Sequence, residues 1–235
     1  MNGKFYGIGV GPGDPELLTI KGKRLLEECD IIATPKTHGE KDSTALRIVA
    51  DYIHQKELLE LVLPMTKDEI KLQEAWEQGA QQIMTKLREG KNVAFITLGD
   101  PSLFSTFMYV FRPIKAAGFP WEIVPGINAP GATAARLGCG LSDWKESLAI
   151  IAATTDLETI EKTICEHDNT VLMKGARQWS EIVSILEKLD LTENTAAVEC
   201  CTMPEERVFT DIRKMPDELS YFLTAIIRKG EKIHG

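Results

Sequence analysis

The sequence predicts an α/β protein with a parallel, doubly wound sheet in its first half and a mixed α/β sheet in its second half. Short apolar runs alternate with amphipathic segments as far as Val124, the pattern of parallel strands joined by helices. Near the end of the chain, the segments between apolar runs leave little room for long helices, so antiparallel pairing is expected there. A proline- and glycine-rich segment, Pro125–Gly131, separates the two patterns.

Five apolar runs of strand length predict the first sheet. They are Lys4–Val10, Asp30–Pro35, Leu58–Leu63, Val93–Leu98 and Trp121–Val124. Apolar residues at helical spacing predict helices after the first four runs, near Leu17–Leu26, Ser43–Ile53, Ile70–Leu87 and Phe107–Ile114. Ser43 is a predicted cap of the second helix. Either Thr66 or Asp68 is expected to cap the third, which should end near Gly90.

The second half begins with a predicted helix of small residues and continues with strands and two further helices. The helices are expected at Ala132–Leu137, Leu157–His167 and Trp179–Leu189. The strands are expected at Leu148–Ala152, Thr170–Met173, Thr195–Cys201, Val208–Ile212 and Phe222–Ile227. Cys200 and Cys201 would then face opposite sides of one strand, rather than form a redox pair.

Composition excludes several functional classes. The formal net charge of the 235 residues is -8, which argues against nucleic acid as a partner but leaves room for a local basic patch that binds an anionic small molecule. The five scattered cysteines predict free thiols in a reducing compartment, and the four histidines have no zinc-like spacing with them, so no metal site is expected. No signal peptide or apolar run of membrane length is apparent, so a cytoplasmic location without membrane partners is expected.

The loop Thr97–Thr106 follows a buried strand and precedes a helix. In open α/β sheets, ligands bind at the carboxyl ends of strands. Gly99 permits close backbone approach, Pro101 restricts the preceding backbone, and Asp100 could accept a hydrogen bond from a ligand amine or hydroxyl. The alternative is an ordinary turn that caps the helix, because these residue types are common in turns.

The glycine-rich segment near the N-terminus does not match a nucleotide-binding fingerprint. Counting from Gly7 or Gly9, the sixth position of the dinucleotide pattern is Pro12 or Asp14. Prolines lack the N–H groups of a phosphate cradle, and a carboxylate at Asp14 repels a pyrophosphate. The segment is therefore either a sharp strand-to-helix turn or a loop that lines a cavity with backbone and one carboxylate.

Four motifs in order resemble the tetrapyrrole methylases, which transfer a methyl group from S-adenosylmethionine. They are Gly9–Pro15, Leu98–Pro101, Val124–Ile127 and Val171–Lys174. Three further features resemble the branch that methylates carbon 20 of precorrin-2 or cobalt-factor II in cobalamin biosynthesis. These are Leu63–Asp68 followed by Trp76, Thr97–Tyr109, and Ala134–Gly138.

The resemblance implies a homodimer of two-domain subunits, with the active site in the cleft between the domains. Residues 1–124 would form an N-terminal domain that binds the tetrapyrrole and part of the cofactor, and residues 125–235 would complete the S-adenosylmethionine site. The implied cofactor-binding residues are Pro12, Leu98, Gly99, Asp100, Leu103, Asn128, Ala129, Met173, Cys201, Thr224 and Ala225. Asn128 and Cys201 depart from the residue types common in relatives, so Cys201 would bind through its backbone.

In the implied reaction the leaving thioether is neutral, so the protein needs no strong nucleophilic side chain. Its main tasks would be to align the acceptor carbon with the methyl group and to exclude water. Asp14 or Tyr109 could take the proton released by the methylated carbon, although solvent or substrate could also do so. The substrate carries acetate and propionate groups, which arginine and lysine recognise. Candidates near the motif loops are Lys36, Arg112, Arg136 and Lys174, with Lys21 also close in sequence.

Three other functions remain open from the sequence. The chain could be a sister methylase acting on another ring carbon or on a protein side chain. It could be a nucleotide-binding α/β module without catalysis. A metal-inserting enzyme is the most remote alternative, because no His/Glu cluster is evident.

Overall fold

The computed structural model describes residues 1–36, 43–64, 66 and 68–233. The chain divides into two compact units, Met1–Asn128 and Ala129–Gly235. Parts of two sequence features lie outside the described residues. They are Met65 and Lys67 of the predicted helix-entry segment, and two of the four histidines, His38 and His234.

Unit 1 contains a five-stranded sheet in which every neighbouring pair is parallel, which confirms the prediction. The strands are β1 (Phe5–Gly9), β2 (Ile31–Lys36), β3 (Glu57–Val62), β4 (Val93–Thr97) and β5 (Trp121–Val124). Their order across the sheet is β3-β2-β4-β1-β5. Because all of the strands run the same way, the loops that follow them emerge at one edge, where the sequence placed its candidate site.

The helices of unit 1 follow the predicted alternation. They are α1 (Ile20–Glu28), α2 (Thr44–Val49), α3 (Glu69–Arg88) and α4 (Phe107–Ala116). Asp68 rather than Thr66 caps α3, because its carboxylate accepts a hydrogen bond from the Lys71 N–H at 3.2 Å. Ser43 precedes α2 but makes no capping hydrogen bond, and its hydroxyl instead lies 3.2 Å from that of Thr34. A 3-10 turn extends α2 by Ala50–Tyr52.

A hydrophobic core lies on each face of the first sheet. One includes Phe5, Phe95 and Phe107 beneath α3 and α4, and the other includes Ile8 and Ile96 on the opposite face. The two sets alternate along the strands because successive side chains point to opposite sides. Burying each of these side chains stabilises the fold by roughly 1.5–3 kcal/mol.

Unit 2 contains a mixed five-stranded sheet, as predicted. The strands are β6 (Leu148–Ala152), β7 (Asn169–Met173), β8 (Thr195–Glu199), β9 (Arg207–Phe209) and β10 (Leu223–Arg228). Their order is β6-β7-β10-β8-β9, with β6 and β7 parallel and the other pairs antiparallel. The helices are α5 (Ala129–Leu137), α6 (Leu157–Glu166) and α7 (Trp179–Lys188).

Three predictions for unit 2 were wrong in detail. The strand expected at Val208–Ile212 is β9, which ends at Phe209, and Ile212 instead begins a 3-10 turn, Ile212–Lys214. Helix α5 begins at Ala129 rather than Ala132, because Pro130 fits a first helical turn, where its missing N–H has no intrahelical partner. Strand β8 ends at Glu199, and Cys200 follows with a positive φ of 50°. The two cysteines therefore lie in a turn and do not alternate along a strand.

The end of β10 is held by the buried side chain of Arg228. Its guanidinium donates to Asp143 at 2.6 Å and lies 2.7 Å from Glu231. The hydrogen bond to Asp143, together with the surrounding carboxylates, outweighs burial and raises the pKa of Arg228. A buried charge of this kind is tolerated because its hydrogen-bonding groups are paired.

Candidate cofactor and substrate site

The carboxylate of Asp100 connects two loops at the carboxyl edge of the first sheet. Its Oδ2 accepts a hydrogen bond from the Gly126 N–H at 2.9 Å. Its Oδ1 accepts from the Ser102 N–H at 2.8 Å and from the Ser102 hydroxyl. A carboxylate has about four acceptor positions, so these bonds leave one for a ligand. A ligand-binding role for Asp100 stays a prediction. The bond to the Ser102 N–H forms a turn, as the alternative predicted, but the side chain of Thr106, the residue before α4, makes no capping hydrogen bond.

Three of the sequence motifs meet backbone to backbone in unit 1. The Gly99 N–H donates to the Gly11 carbonyl at 2.8 Å, and the Gly11 N–H donates to the Gly99 carbonyl at 3.3 Å. A Cβ added to Gly126 would lie 2.1 Å from the Gly99 carbonyl oxygen. The first loop, the loop after β4 and the loop after β5 therefore form one packed junction, which only glycine allows at its centre.

The predicted cofactor residues of unit 1 surround this junction. Leu98, Leu103 and Asn128 are half-buried, whereas Pro12 is buried. Gly99 has a positive φ of 70°, and a Cβ there would meet no atom closer than 3.9 Å. The backbone beside Gly99 is therefore open on one side, as close approach by a ligand requires.

Asp14 has a structural role in the first loop. Its Oδ1 accepts a hydrogen bond from the Glu16 N–H at 2.8 Å and caps a 3-10 turn, Pro15–Leu17. The turn explains why an acid stands between two prolines, because Asp is a favoured N-cap. Proton removal by Asp14 stays a prediction.

Four predicted cofactor residues lie on or beside the central strands of the second sheet, and Ala129 begins α5. Met173, the last residue of β7, is half-buried and pairs in register with the buried Thr224 of β10. Ala225 packs with Leu172 and Ala197 in the core beneath α6 and α7, whereas Met173 packs against a different cluster. The side chains of Met173 and Ala225 are therefore not brought together.

Cys201 lies in the turn after β8, and its side chain is buried with Ala132 and Val198. Burial raises the pKa of its thiol to about 11. The thiol is therefore protonated at neutral pH and is a poor nucleophile. This agrees with a backbone contact, although binding by Cys201 stays a prediction.

Glu199 and Glu206 hold the segment around Cys201, and the sequence analysis did not single them out. Burial alone would raise the pKa of Glu199, but the hydrogen bonds from Arg207 and the Ser220 N–H lower it. Glu206 similarly pairs with Arg136. Neither acid stands in a recognisable motif, so no sequence signal identified this role.

The predicted substrate-binding cations have partners within the protein. Lys36 lies 2.7 Å from Glu60, and Arg136 forms an ion pair with Glu206. The Lys174 ammonium lies 5.3 Å from the centre of the Tyr221 ring. Lys21 pairs with Glu122. The basic groups exist as predicted, but the structure does not show them forming one surface.

Tyr109 is stacked against Trp76, which the sequence analysis noted only as a landmark. The ring centres are 4.0 Å apart and the planes differ by 9°. The Arg112 guanidinium lies 5.5 Å from the centre of the Tyr109 ring. A predicted catalytic residue and a predicted substrate-binding residue are therefore neighbours, and Trp76 packs against the first of them.

A surface cavity of about 320 Å³ lies elsewhere, in unit 2. Arg177, Trp179 and Arg213 are among the residues that line it, and none of the predicted site residues does. Trp179 belongs to the core beneath α6 and α7. This cavity is therefore separate from the motif loops.

The described ranges contain neither a metal-binding cluster nor a membrane-spanning helix. The His, Cys, Asp and Glu side chains of residues 1–36, 43–64, 66 and 68–233 form no group that could hold a metal ion. Within the same ranges, no helix combines the length and apolar character needed to cross a bilayer.

Comparison with known proteins identifies the family. The family described as Tetrapyrrole (Corrin/Porphyrin) Methylases matches residues 4–216. The chain is 36% identical over 234 residues to a Salmonella typhimurium protein named cobalt-precorrin-2 C(20)-methyltransferase, covering 97% of this chain and 98% of that protein. It is 40% identical over 187 residues to a Methanocaldococcus jannaschii protein named probable cobalt-precorrin-2 C(20)-methyltransferase, covering 80% and 78%.

The fold is also that of a solved methyltransferase. The structure of Thermus thermophilus uroporphyrin-III C-methyltransferase complexed with S-adenosylhomocysteine has a TM-score of 0.69 and 22% identity, covering 97% of this chain and 98% of that one. The family match spans most of the sequence, and the more similar relatives exceed 30% identity. This chain therefore belongs to the tetrapyrrole methylase family.

Proposed function

We propose that this protein transfers a methyl group from S-adenosylmethionine to carbon 20 of precorrin-2 or cobalt-factor II during cobalamin biosynthesis. The observation that carries the proposal is the 36% identity, over nearly the full length of both chains, to a protein named for this reaction. The second relative, at 40% identity, carries the same name with the word probable. Both names specify cobalt, which favours the cobalt-containing substrate.

The cofactor is assigned to the motif residues of each unit. In unit 1, these are Pro12, Leu98, Gly99, Asp100, Leu103 and Asn128. In unit 2, they are Ala129, Met173, Cys201, Thr224 and Ala225. The open side of Gly99 and the remaining acceptor position of Asp100 suit a ligand with hydroxyl and amine donors. The half-buried thioether of Met173 suits an aromatic ring such as adenine.

The bound donor supplies an activated methyl group, so the protein's task is to align the acceptor carbon and exclude water. Asp14 and Tyr109 are alternative receivers of the proton released from that carbon, and Tyr109→Phe distinguishes them, because a fall in kcat with an unchanged KM would assign proton transfer to Tyr109. The carboxylate of Asp14 already caps a turn, whereas Tyr109 is 41% exposed and carries a phenol. The exposure of Tyr109 makes its side chain the more accessible of the two to a large substrate.

Cations are proposed to bind the carboxylate groups of the tetrapyrrole. Lys36, Arg136, Arg112 and Lys174 are the assigned residues. Lys36 and Arg136 are each paired with a glutamate, so a substrate carboxylate would replace that partner. Charge reversal at Lys36 or Arg136 should raise the KM for the tetrapyrrole and leave the affinity for S-adenosylhomocysteine nearly unchanged. Equal losses of both affinities would contradict the assignment.

An anaerobic assay with purified protein tests the proposed function. The protein is incubated with S-adenosylmethionine and either precorrin-2 or its cobalt form, and the product is analysed by mass spectrometry and NMR. A single added methyl group on carbon 20, formed faster from the cobalt substrate, is the expected result. Methylation of another carbon would instead identify a sister methylase.

Calorimetry distinguishes the enzyme from a non-catalytic nucleotide-binding module. S-adenosylhomocysteine should bind tightly, whereas NAD and ATP should not bind. Binding of ATP or NAD, together with no methylated tetrapyrrole, would contradict the proposal. We also propose a homodimer, as the family resemblance implies, and a cytoplasmic location. Sedimentation of the purified protein tests the dimer.

A further inference from the structure

Two side chains, Trp76 and Arg112, lie against the ring of Tyr109. Trp76 of α3 is stacked in parallel on one face, with 4.0 Å between ring centres. The Arg112 guanidinium, one turn further along α4, lies over the ring at 5.5 Å from its centre. Because the indole occupies one face, the guanidinium must lie on the side of the other. A flat macrocycle that stacked on the second face would have to displace the Arg112 guanidinium.

Tyr109 is also accessible to a ligand. The side chain is 41% exposed. Within residues 1–36, 43–64, 66 and 68–233, its phenol oxygen makes no hydrogen bond. Tyr109 lies in the first turn of α4, directly after the loop that leaves the carboxyl end of β4. This is the edge of a parallel sheet where ligands bind.

The position of the Tyr109 ring is set from behind by α3. Trp76 is half-buried and packs against the core beneath α3 and α4, as does Met108 beside Tyr109. An indole anchored in this way allows the phenol ring one plane, because rotating the ring would break the parallel stack. A phenol O–H bond lies close to the plane of its ring, so Trp76 fixes the plane in which the Tyr109 hydroxyl donates.

We infer that Tyr109 recognises a carboxylate side chain of the substrate through its phenol O–H, assisted by the charge of Arg112, and that Trp76 is a positioning residue for this contact. The inference rests on the proposed function and assigns a substrate group to part of the same site. A phenol donates one hydrogen bond to a carboxylate, and a guanidinium adds charge and further donors. The contact is one of binding, so it predicts an effect on KM rather than on kcat.

Steady-state kinetics with four variants test this inference. Tyr109→Phe removes only the hydroxyl and should raise the KM for the tetrapyrrole about tenfold or more, with kcat changed by less than about twofold. Trp76→Leu keeps apolar packing but removes the stacked ring, and should raise the KM similarly. Trp76→Phe keeps a ring and should resemble the unchanged protein. The double variant Tyr109→Phe/Trp76→Leu should be no worse than Tyr109→Phe alone, since both changes remove one contact.

Trp121→Leu is the matched control. Trp121 is a half-exposed tryptophan, 42% exposed, that packs edge-on against Phe111 beside Lys115, at the start of β5 rather than at the carboxyl edge. Its replacement should leave the KM unchanged. S-adenosylhomocysteine affinity should be unchanged in Trp76→Leu and Trp121→Leu, and thermal unfolding, measured for each variant, should show that both are folded at the assay temperature.

Several results would overturn the inference. An unchanged KM in Tyr109→Phe would show that the hydroxyl is not used. A fall in kcat with an unchanged KM would assign Tyr109 to proton transfer instead. If the two changes raise the KM additively in the double variant, Trp76 acts independently of Tyr109 and is not a positioning residue for it. An unmodified protein that methylates neither tetrapyrrole would overturn the proposed function itself, which distinguishes that failure from the failure of this contact.

Discussion

Asp100 illustrates how one side chain can serve both the fold and a ligand. Its two oxygens receive hydrogen bonds from the Gly126 N–H and from Ser102. The bond to Gly126 joins residues 26 positions apart in the chain. A carboxylate is suited to this bridge because it has only acceptors, whereas an amide would direct its NH₂ group at a donor.

Replacing Asp100 should therefore weaken both the fold and the cofactor site. Asp100→Ala leaves the half-buried Gly126 N–H without its partner, and should lower the free energy of unfolding by about 1–3 kcal/mol. Urea unfolding measures the loss, and calorimetry should show weaker binding of S-adenosylhomocysteine. Ser102→Ala is the control, because it removes one exposed hydroxyl and should change the free energy by less than about 1 kcal/mol. A folded Asp100→Ala protein with unchanged cofactor affinity would contradict the assigned binding role.

A second residue-scale prediction concerns the glycine junction. In Gly126→Ala, the new Cβ would lie 2.1 Å from the backbone oxygen of Gly99, so one of the two loops must move. We expect the free energy of unfolding to fall by about 2–3 kcal/mol, as in other overpacked sites. Gly79→Ala in α3 is the control. Its Cβ would meet neighbours at an ordinary 3.6 Å, and removing a helical glycine should stabilise the fold by up to about 1 kcal/mol. Equal effects in the two variants would refute the packing argument.

At the scale of elements, Glu122 of β5 forms ion pairs that connect its strand to the start of β1 and to α1. Hydrogen bonds from Lys21 of α1 and from Lys4, which precedes β1, lower the pKa of its carboxyl from 4.5 to about 2. A carboxyl with a lowered pKa in the folded state stabilises the fold above its unfolded pKa. The stabilisation is lost as the pH falls through the folded pKa.

Glu122→Gln should therefore destabilise the protein most above pH 4.5, and the difference from the unchanged protein should vanish as the pH approaches 2. The Glu122 side chain is 29% exposed, so the effect should not exceed about 1 kcal/mol. Chemical unfolding across this pH range measures the difference. Glu27→Gln is the control, because Glu27 lies 4.0 Å from Lys23 in an exposed pair and its loss should matter little at any pH. A difference for Glu122→Gln that grows on acidification would disprove the argument.

At the scale of the whole molecule, each unit contains its own hydrophobic clusters. The clusters of unit 1 lie on the two faces of the parallel sheet, and those of unit 2 surround the mixed sheet. A segment with its own core and paired strands has what independent folding requires.

Fragments 1–128 and 129–235, each expressed alone, should therefore unfold cooperatively. Each fragment has two tryptophans, Trp76 and Trp121 in the first and Trp144 and Trp179 in the second, so near-UV circular dichroism and fluorescence report on both. A sigmoidal urea transition with a native-like near-UV spectrum is expected. A fragment that lacks fixed aromatic signals and binds a hydrophobic dye would contradict the prediction, because those are the properties of a molten globule.

The sequence by itself determined the architecture. The alternation of apolar runs and helical periods is a local property, so it predicted both sheets and their parallel and mixed character. Errors occurred at the ends of elements. At Ala129, a proline that fits the first helical turn sets the start of the helix, and after Glu199 a change to positive φ ends the strand. The motif order also pointed to the family that the comparisons identify.

Only the tertiary structure decided which distant residues meet. The pairing of Gly11 with Gly99 and the stack of Trp76 on Tyr109 join segments that no periodicity relates. Likewise, nothing in the sequence paired Arg136 with Glu206. These contacts depend on the position of each loop after folding, because hydrogen bonds and ring stacks require atoms to be a few ångströms apart, whatever their separation along the chain.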